Sequence, residues 1–475
     1  MGGLTGLAEG WQLATDSLNL CLVAVGVLLG ALLGATSRLR AIHGVAILLP
    51  LTYALSIPVE GTLILLLTLY FAAEFARQGW GGGGAVDSGH CRLLAWGGSF
   101  LGGAIAVSGL IVVVLLLQQL ALHFSPGEYS VLVIFAFASL ATRAGSHPLR
   151  TLIATLLGLM LATVGIDSST GLLRFTFGEP QLYDGIEFTT VMVGLFVIGQ
   201  LFGLLTPSSD QSAAPTGKNA PGRRPIRSYR WAVLRSALVG FFVGVLPGAG
   251  TSVAGAASLR VERTLAGADG ELSAAMEILA EETANSAAVG GAMVPLLALG
   301  IPGSGTTAIL LGALLLHNLT PGPMLFSRQA PLVWALTLAM GLANLLLVIL
   351  YWPLVRLLRR AQQLPEWIFA PVLIVLAFIG VFSVNQSSFS LLIMLLLGLV
   401  AHLLERRRYP LVPLLLGFVL GELLEDNLRR ALAISGGDFR VFFATTTSLL
   451  LWGATLGVLV LPWLLRFGSQ RKGRS

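Results

Sequence analysis

The chain has only two cysteines in 475 residues, Cys21 and Cys91, and both sit in or beside apolar segments. That excludes a disulfide framework and a thiolate metal site as organising features. Charge is equally scarce: Asp, Glu, Lys and Arg make up 11% of the residues, whereas 55% are hydrophobic and the mean hydropathy is +0.84. A water-soluble domain of this size could not cover its surface with so few charges, so lipid must be its solvent. The six histidines are scattered without ligand spacing, and the sequence has no Gly-x-Ser-Gly, no His-Glu-x-x-His and no paired Asp-rich motif. Intramembrane hydrolysis and metal chemistry therefore have no visible seat, and the chain reads as a non-enzyme with no cofactor. Short alternating segments of a strand barrel are missing too.

What the chain has instead is one apolar run after another, separated by short polar breaks. A hydrocarbon core of roughly 30 Å needs about 20 apolar residues per helix. On that measure the fold class is all-α, a polytopic integral membrane protein with about 12 transmembrane segments, several short enough to be broken or re-entrant. The first Lys or Arg is Arg38, so there is no basic n-region of a cleavable signal peptide. Residues 18–34 read as a retained first span, with the mature protein starting at Met1.

The formal charge of +6 would suggest nucleic acid in a soluble protein, but here the basic residues gather in loops between spans, which is the positive-inside pattern. Residues 207–230 turn polar and then basic at Lys218, Arg223, Arg224, Arg227 and Arg230, and read as a cytoplasmic linker between an N-terminal half, 1–206, and a C-terminal half, 231–475. Three further basic groups are separated by even numbers of spans: Arg356 with Arg359 and Arg360, Arg406 to Arg408, and Arg466 with Arg471, Lys472 and Arg474. All three are expected on the cytoplasmic side, together with the C-terminus. Gly30-x-x-x-Gly34 leads into Ser37-Arg38-Leu39-Arg40, much as Gly240-x-x-x-Gly244 leads into Pro247-Gly248-Ala249-Gly250. This likeness suggests two diverged repeats of the kind that hold a substrate near the midplane in transporters.

The second half contains two Pro-Gly interruptions inside membrane segments: Pro247, Gly248 and Gly250, and then Gly300, Pro302, Gly303 and Ser304. Proline removes a backbone donor and glycine tolerates positive φ, so a helix is expected to break at each. The half-helix N-termini would present N–H groups and a positive dipole end to a carboxylate. The competing reading is that these residues only kink helices and allow close packing. Between the breaks lies Glu281-Glu282-Thr283-Ala284-Asn285-Ser286. On a helix, Glu282 and Asn285 share a face suited to a cation or a substrate hydroxyl, whereas in a loop they are simply solvated. Glu74 reads as the partner of Arg77 at the membrane edge. Glu425 with Arg429 and Asp426 with Arg430 read as salt-bridged helix turns.

The stretches GVLPGAG, EETANSA, LLALGIPGSGTTAILLGALLLHNLTPGP and PLLLGFVLGELLEDNLRRAL, with the mid-chain segment GIDSSTGLLRFTFGEPQLYDGIEF, resemble the large permease subunit of tripartite tricarboxylate transporters. The resemblance runs across nearly the whole chain. It implies a multi-pass protein of the bacterial inner membrane, the permease of a secondary carrier that takes up tricarboxylates or other small carboxylates on an Na⁺ or H⁺ gradient. It also implies a small integral membrane subunit and a periplasmic solute-binding protein as partners. Carried over residue by residue, the family's motifs fall on Pro247, Gly248 and Gly250, on Glu282 to Asn285 with Thr283 in place of the usual Ser, and on Gly300 to Pro302. The expected substrate site is therefore Pro247, Gly248, Gly250, Asn285, Gly300, Pro302, Gly303 and Ser304, with Glu282 in ion coupling. The first half departs from the pattern: Ser37 to Arg40 stand where a Pro-Gly-x-Gly belongs, and Phe75-Ala76-Arg77-Gln78 where a Tyr-Gly-Gly-Ser loop belongs. The alternative expectation is a non-transporting receptor or assembly protein that has kept the fold.

Overall fold

The computed structural model describes residues 2–36, 39–81, 89–119, 124–143, 148–167, 169–205, 229–246, 248, 250–266, 272–361 and 369–472. The expected linker at 207–230 falls almost wholly outside the described residues, as do Ser37, Arg38 and Pro247. The chain runs through α1 (Gly2–Thr15), α2 (Ser17–Ala35), α3 (Ala41–Ala54), α4 (Val59–Gly81), α5 (Gly89–Gln119), α6 (Pro126–Arg143) and α7 (Pro148–Ala162). A two-stranded antiparallel hairpin follows, β1 (Gly165–Ile166) and β2 (Leu173–Arg174), with Gly165 opposite Arg174. Then come α8 (Phe188–Val193), a π-helical stretch Gly194–Ile198, α9 (Gly199–Leu205), α10 (Arg230–Val245), α11 (Gly250–Ala266), α12 (Ala274–Leu299), α13 (Gly305–Leu316) and α14 (Pro323–Arg328). The last six helices are α15 (Ala330–Ile349), α16 (Tyr351–Ala361), α17 (Phe369–Asn385), α18 (Ser388–Arg406), α19 (Leu411–Ile434) and α20 (Thr446–Lys472).

The protein is a helical membrane protein, as its composition requires. Five helices among the described residues are long and apolar enough to cross a bilayer: Ser17–Ala35, Val59–Arg77, Leu93–Leu116, Ala330–Ile349 and Ser388–Arg406. Other apolar helices are shorter, Ala41–Ala54 with 14 residues and Gly305–Leu316 with 12 among them. At 1.5 Å per residue these two reach about 18–21 Å, less than a hydrocarbon core of roughly 30 Å. The apolar runs are thus a mixture of full spans and partial ones. Burial sorts them further: 89% of Val59–Arg77 is enclosed by protein, against 22% of Ser388–Arg406. α4 is accordingly the central post of the fold, and α18 faces the lipid.

The break expected at 300–304 is present, and the helix before it, α12, begins well upstream, at Ala274. The segment Glu281 to Ser286 is therefore the middle of a continuous buried helix, and the solvated-loop reading falls. In the first half, α2 ends at Ala35 and α3 starts at Ala41, so the backbone breaks at 36–40 even without a Pro-Gly motif. Thr36 closes α2 by donating through both Oγ1 (2.7 Å) and its backbone N–H (3.1 Å) to the Leu33 carbonyl. The Arg40 backbone N–H is taken by His43 Nδ1 at 2.8 Å. These local bonds do the work of the missing proline.

The glycine pairs explain how the inner helices come together. A Cβ on Gly30 or Gly34 of α2 would overlap the carbonyls of Leu69 and Ala73 on α4. A Cβ on Gly240 or Gly244 of α10 would overlap those of Ala284 and Ala288 on α12. In both places, glycines four apart seat one helix on backbone carbonyls four apart in another, the close approach that small residues allow in lipid. Gly102 of α5 does the same against the Thr283 carbonyl from another side of α12.

Away from this bundle the hairpin is tied to α19 by ions. Arg429 donates to both oxygens of Asp167, at 2.8 and 2.9 Å, and to Glu425 at 2.6 Å. Arg174 meets Glu425 at 2.7 Å. The expected helix-turn pairs are present, Glu425–Arg429 at 2.6 Å and Asp426–Arg430 at 3.8 Å. The fork from Arg429 across to Asp167 was not legible in the spacing.

Two predictions follow from the packing and the ion network. Gly244→Leu should destabilise the purified protein by about 1–3 kcal/mol or more, because the α10–α12 contact leaves no room for the side chain, and thermal unfolding in detergent will show this as a lowered Tm. Gly97→Ala, with open space around it, should leave Tm unchanged or slightly raised. The Ser169 backbone N–H and the Arg429 fork hold the Asp167 carboxyl below the usual carboxylate range. The folded state therefore releases this proton more readily than the unfolded chain, and the stabilisation is present above a pH of about 3.9 and lost as pH falls below it. Asp167→Asn should lower Tm at pH 7 and flatten its decline below pH 4.

Candidate functional site

The three breaks converge on α4. Tyr70, Glu74 and Arg77 recur at helical spacing along one face of α4, and the first two are buried. Glu74 pairs with Arg77 at 3.3 Å. From the start of α11, just past the 246–249 break, Thr251 Oγ1 donates to Glu74 Oε2 at 3.0 Å. From α12, Asn285 Nδ2 donates to the Glu74 backbone carbonyl at 3.3 Å. The expected pairing of Glu74 with Arg77 is present, at the end of the apolar span Val59–Arg77, and the pair lies where α4, α11 and α12 meet. Burial forces the arrangement, because a carboxylate 8% exposed needs both a counter-ion and hydrogen-bond donors.

Glu282 is 4% exposed and accepts from Ser99 Oγ of α5 at 3.4 Å. It lies within electrostatic reach of both Arg77 and Glu74. Asn285 and Ser286 are fully enclosed, and among the described residues Asn285 Oδ1 and Ser286 Oγ have no hydrogen-bond partner. Buried polar oxygens without partners are costly, so they point to a ligand or water at this place.

The break at 300–304 joins the same region. α12 ends at Gly300 in a left-handed conformation (φ 69°), the glycine C-cap geometry. Ser304 then starts α13 with a reciprocal cap: its N–H donates to Thr307 Oγ1 at 2.7 Å, and the Thr307 N–H donates to Ser304 Oγ at 3.2 Å. Ile301, Pro302 and Gly303 are buried. Gly303 packs beside the Gly244 carbonyl at the end of α10, and Gly305 lies against Ile42 at the start of α3. The start of α13 thus packs between the end of α10 and the start of α3. Gly248 and Gly250 have φ of 76° and 65°, values that favour glycine, and with them the chain reverses from α10 into α11.

Of the residues expected from sequence, Gly248, Gly250, Glu282, Asn285, Gly300, Pro302, Gly303 and Ser304 lie in this region; Pro247 lies outside the described residues. Arg40 is exposed at the start of α3, which fits a helix-end position better than a substrate contact. Glu74, Tyr70, Arg77, Thr251 and Ser99 were missed as site residues. For the α4 trio the signal was available: three polar residues on one face of an otherwise apolar helix. A separate cavity of about 430 Å³ lies under the hairpin, lined by Asp184, Glu187, Glu422, Glu425 and Asp426 among others, with Arg174 as its one basic residue. Its acidic excess makes it a poor receptacle for a carboxylate. Burial and the neighbouring Asp184 raise the Glu187 carboxyl above its ordinary value.

Broken helices whose ends enclose buried charges define the class: a polytopic helical membrane protein of transporter type. The chain belongs to the tripartite tricarboxylate transporter TctA family, whose pattern matches residues 92–416. The match begins after the stretch that carries the altered motifs at 37–40 and 75–78. An uncharacterized 52.8 kDa protein of the TAR-I ttuC' 3' region of Agrobacterium vitis is 33% identical over 98% of both chains. An uncharacterized protein of the TAR-II ttuC' 3' region of the same organism is 38% identical over 49% of this chain and 97% of its own. No solved structure matches the chain.

If Thr251 fixes Glu74, removing either partner should weaken the same contact. Thr251→Val and Glu74→Gln are each expected to lower stability by about 1.5–3 kcal/mol, the range for hydrogen bonds to charged groups. The double variant should cost clearly less than the sum of the two, which a double-mutant cycle on denaturant midpoints will read.

Proposed function

We propose that this chain is the permease subunit of a secondary, ion-gradient-driven, binding-protein-dependent transporter for tricarboxylates or other small organic carboxylates. It would act in the bacterial inner membrane with its C-terminus in the cytoplasm, beside a small integral membrane subunit and a periplasmic solute-binding protein. The observation that carries this reading is the meeting of Thr251, at the start of α11, and Asn285 of α12 on the buried Glu74, which pairs with Arg77 within electrostatic reach of the buried Glu282. Helix N-termini and a guanidinium offer an anion hydrogen-bond donors and positive potential.

The charge balance of the cluster bears on energy coupling. Two buried carboxylates, Glu74 and Glu282, face one guanidinium, Arg77. A carboxylate substrate entering alone would add negative charge to a site already carrying an excess, in surroundings of low dielectric. Entry together with Na⁺ or H⁺ removes the conflict, and Glu282 with the free Asn285 and Ser286 oxygens offers ligands to either cation. In this reading the cation is part of the bound state, so uptake requires its gradient.

The altered first-half motif supports the alternative, a receptor or assembly protein that no longer transports. Uptake decides between them. Proteoliposomes holding this chain with its two partner subunits should accumulate labelled di- or tricarboxylate only when an Na⁺ or H⁺ gradient is imposed. Glu282→Gln is expected to remove the dependence on the gradient and to lower accumulation at least tenfold, about 1.4 kcal/mol. An assembled complex that binds carboxylate yet never accumulates it under either gradient would establish the receptor.

A further inference from the structure

α18 ends and α19 begins in a tight turn that gathers arginines. Arg406, Arg407 and Arg408 follow one another there, and Arg150, from the start of α7, lies over the Tyr409 ring at 5.9 Å from its centroid. These four arginines and Tyr409 line an open recess of about 450 Å³. Arg408 adopts a φ of 61°, a left-handed conformation that costs energy in a non-glycine residue. The turn is held by backbone bonds from Arg408 N–H to the Glu405 carbonyl at 2.8 Å and from Tyr409 N–H to the Leu404 carbonyl at 2.9 Å. Arg406, Arg407 and Arg408 are exposed, and among the described residues none of the four arginines forms a salt bridge with a carboxylate. By contrast, Arg235 pairs with Glu262 at 2.8 Å and Arg263 with Glu277 at 2.7 Å.

The surroundings indicate what kind of anion suits the recess. Leu149, Leu152, Leu156 and Met160 form an exposed apolar stripe on α7 leading away from Arg150, and Leu403, Leu399 and Leu396 are exposed on α18 below Arg406. Glu405 is the acidic residue beside the turn and lies within electrostatic reach of Arg40; Glu422, Glu425 and Asp426 sit further along α19, lining the cavity under the hairpin. The recess therefore joins concentrated positive charge to apolar helix faces at a membrane boundary. An anionic phospholipid combines the same two features, with a phosphate for the guanidinium forks and acyl chains for the helices.

We propose that the recess formed by Arg150, Arg406, Arg407, Arg408 and Tyr409 is a binding site for the phosphate headgroup of an anionic phospholipid, separate from the transport site. Bound there, the lipid bridges the start of α7 to the α18–α19 turn, at the end of the close α7–α19 packing in which Gly158 faces the Leu414 carbonyl and Gly417 the Thr155 carbonyl.

Native mass spectrometry and thermal unfolding of the full chain in detergent test this, with cardiolipin, phosphatidylglycerol, phosphatidylcholine and inorganic phosphate as probes. The wild type should retain cardiolipin or phosphatidylglycerol in preference to phosphatidylcholine and gain Tm from them. Each of Arg150→Gln, Arg406→Gln and Arg408→Gln should weaken retention by about fivefold, the equivalent of one surface arginine, and the triple variant should bind anionic and zwitterionic lipid alike. A control triple, Arg230→Gln with Arg260→Gln and Arg356→Gln, removes the same charge outside the recess and should keep the preference. Equal loss in the control would overturn the proposal in favour of diffuse surface charge. A Tm gain from inorganic phosphate as large as from lipid would overturn it in favour of a free-anion site. A recess variant that keeps its native Tm without lipid, and still shows the wild-type preference, would also overturn it.

Discussion

A backbone N–H or C=O freed inside a bilayer has no water to turn to, and every broken helix in this protein is arranged around that constraint. Of the breaks at 36–40, 246–249 and 300–304, the last is enclosed, with Ile301, Pro302 and Gly303 buried, whereas Arg40 and Leu246 at the other two are exposed. Each exposes backbone ends that must be closed locally, and the means differ: Thr36 and His43 side chains at the first, glycines of positive φ at the second, and the Ser304–Thr307 box at the third. The bundle can afford the breaks because α2 and α10 approach α4 and α12 closely enough for glycine to rest on carbonyl. Close approach excludes lipid, and once lipid is excluded a polar interior becomes possible.

That interior is where charge collects. Glu74 and Glu282 are buried with a single guanidinium between them, and Thr251, Asn285 and Ser99 supply hydrogen bonds. The arrangement departs from the economy of the rest of the protein, in which arginine and carboxylate meet nearer the ends of helices, as at Arg235 with Glu262 and Arg429 with Asp167. An uneven buried cluster next to converging helix ends is what a site for a charged solute and a compensating cation requires.

The glycine repeat shows how far packing could be read in advance. Gly30 with Gly34 and Gly240 with Gly244 were recognisable as a spacing, and each pair makes the contact that the spacing allows. What they rest on, Leu69 with Ala73 and Ala284 with Ala288, carries no sequence mark, because a carbonyl belongs to every residue. The first-half break was legible as a place but not as a structure: losing Pro-Gly suggested a lost break, yet the caps at Thr36 and Arg40 preserve it. Glu74 was read with Arg77 alone, because that true partner is nearest in sequence and conceals the more distant ones, Thr251 and Asn285.

The sequence by itself determined the solvent, the helical class, the positions of the Pro-Gly breaks and the family, because these depend on composition, on short spacings and on local backbone chemistry. Only the tertiary structure decided that Glu282 and Asn285 belong to an unbroken helix, that Glu74 of the first half meets Thr251 and Asn285 of the second, and that Arg150 joins the arginines of the α18–α19 turn. Those contacts join residues as far apart in the chain as Arg150 and Tyr409. They are set by which helix faces pack together, and hydrophobic periodicity in a membrane protein does not specify that, because lipid-facing and protein-facing surfaces are both apolar.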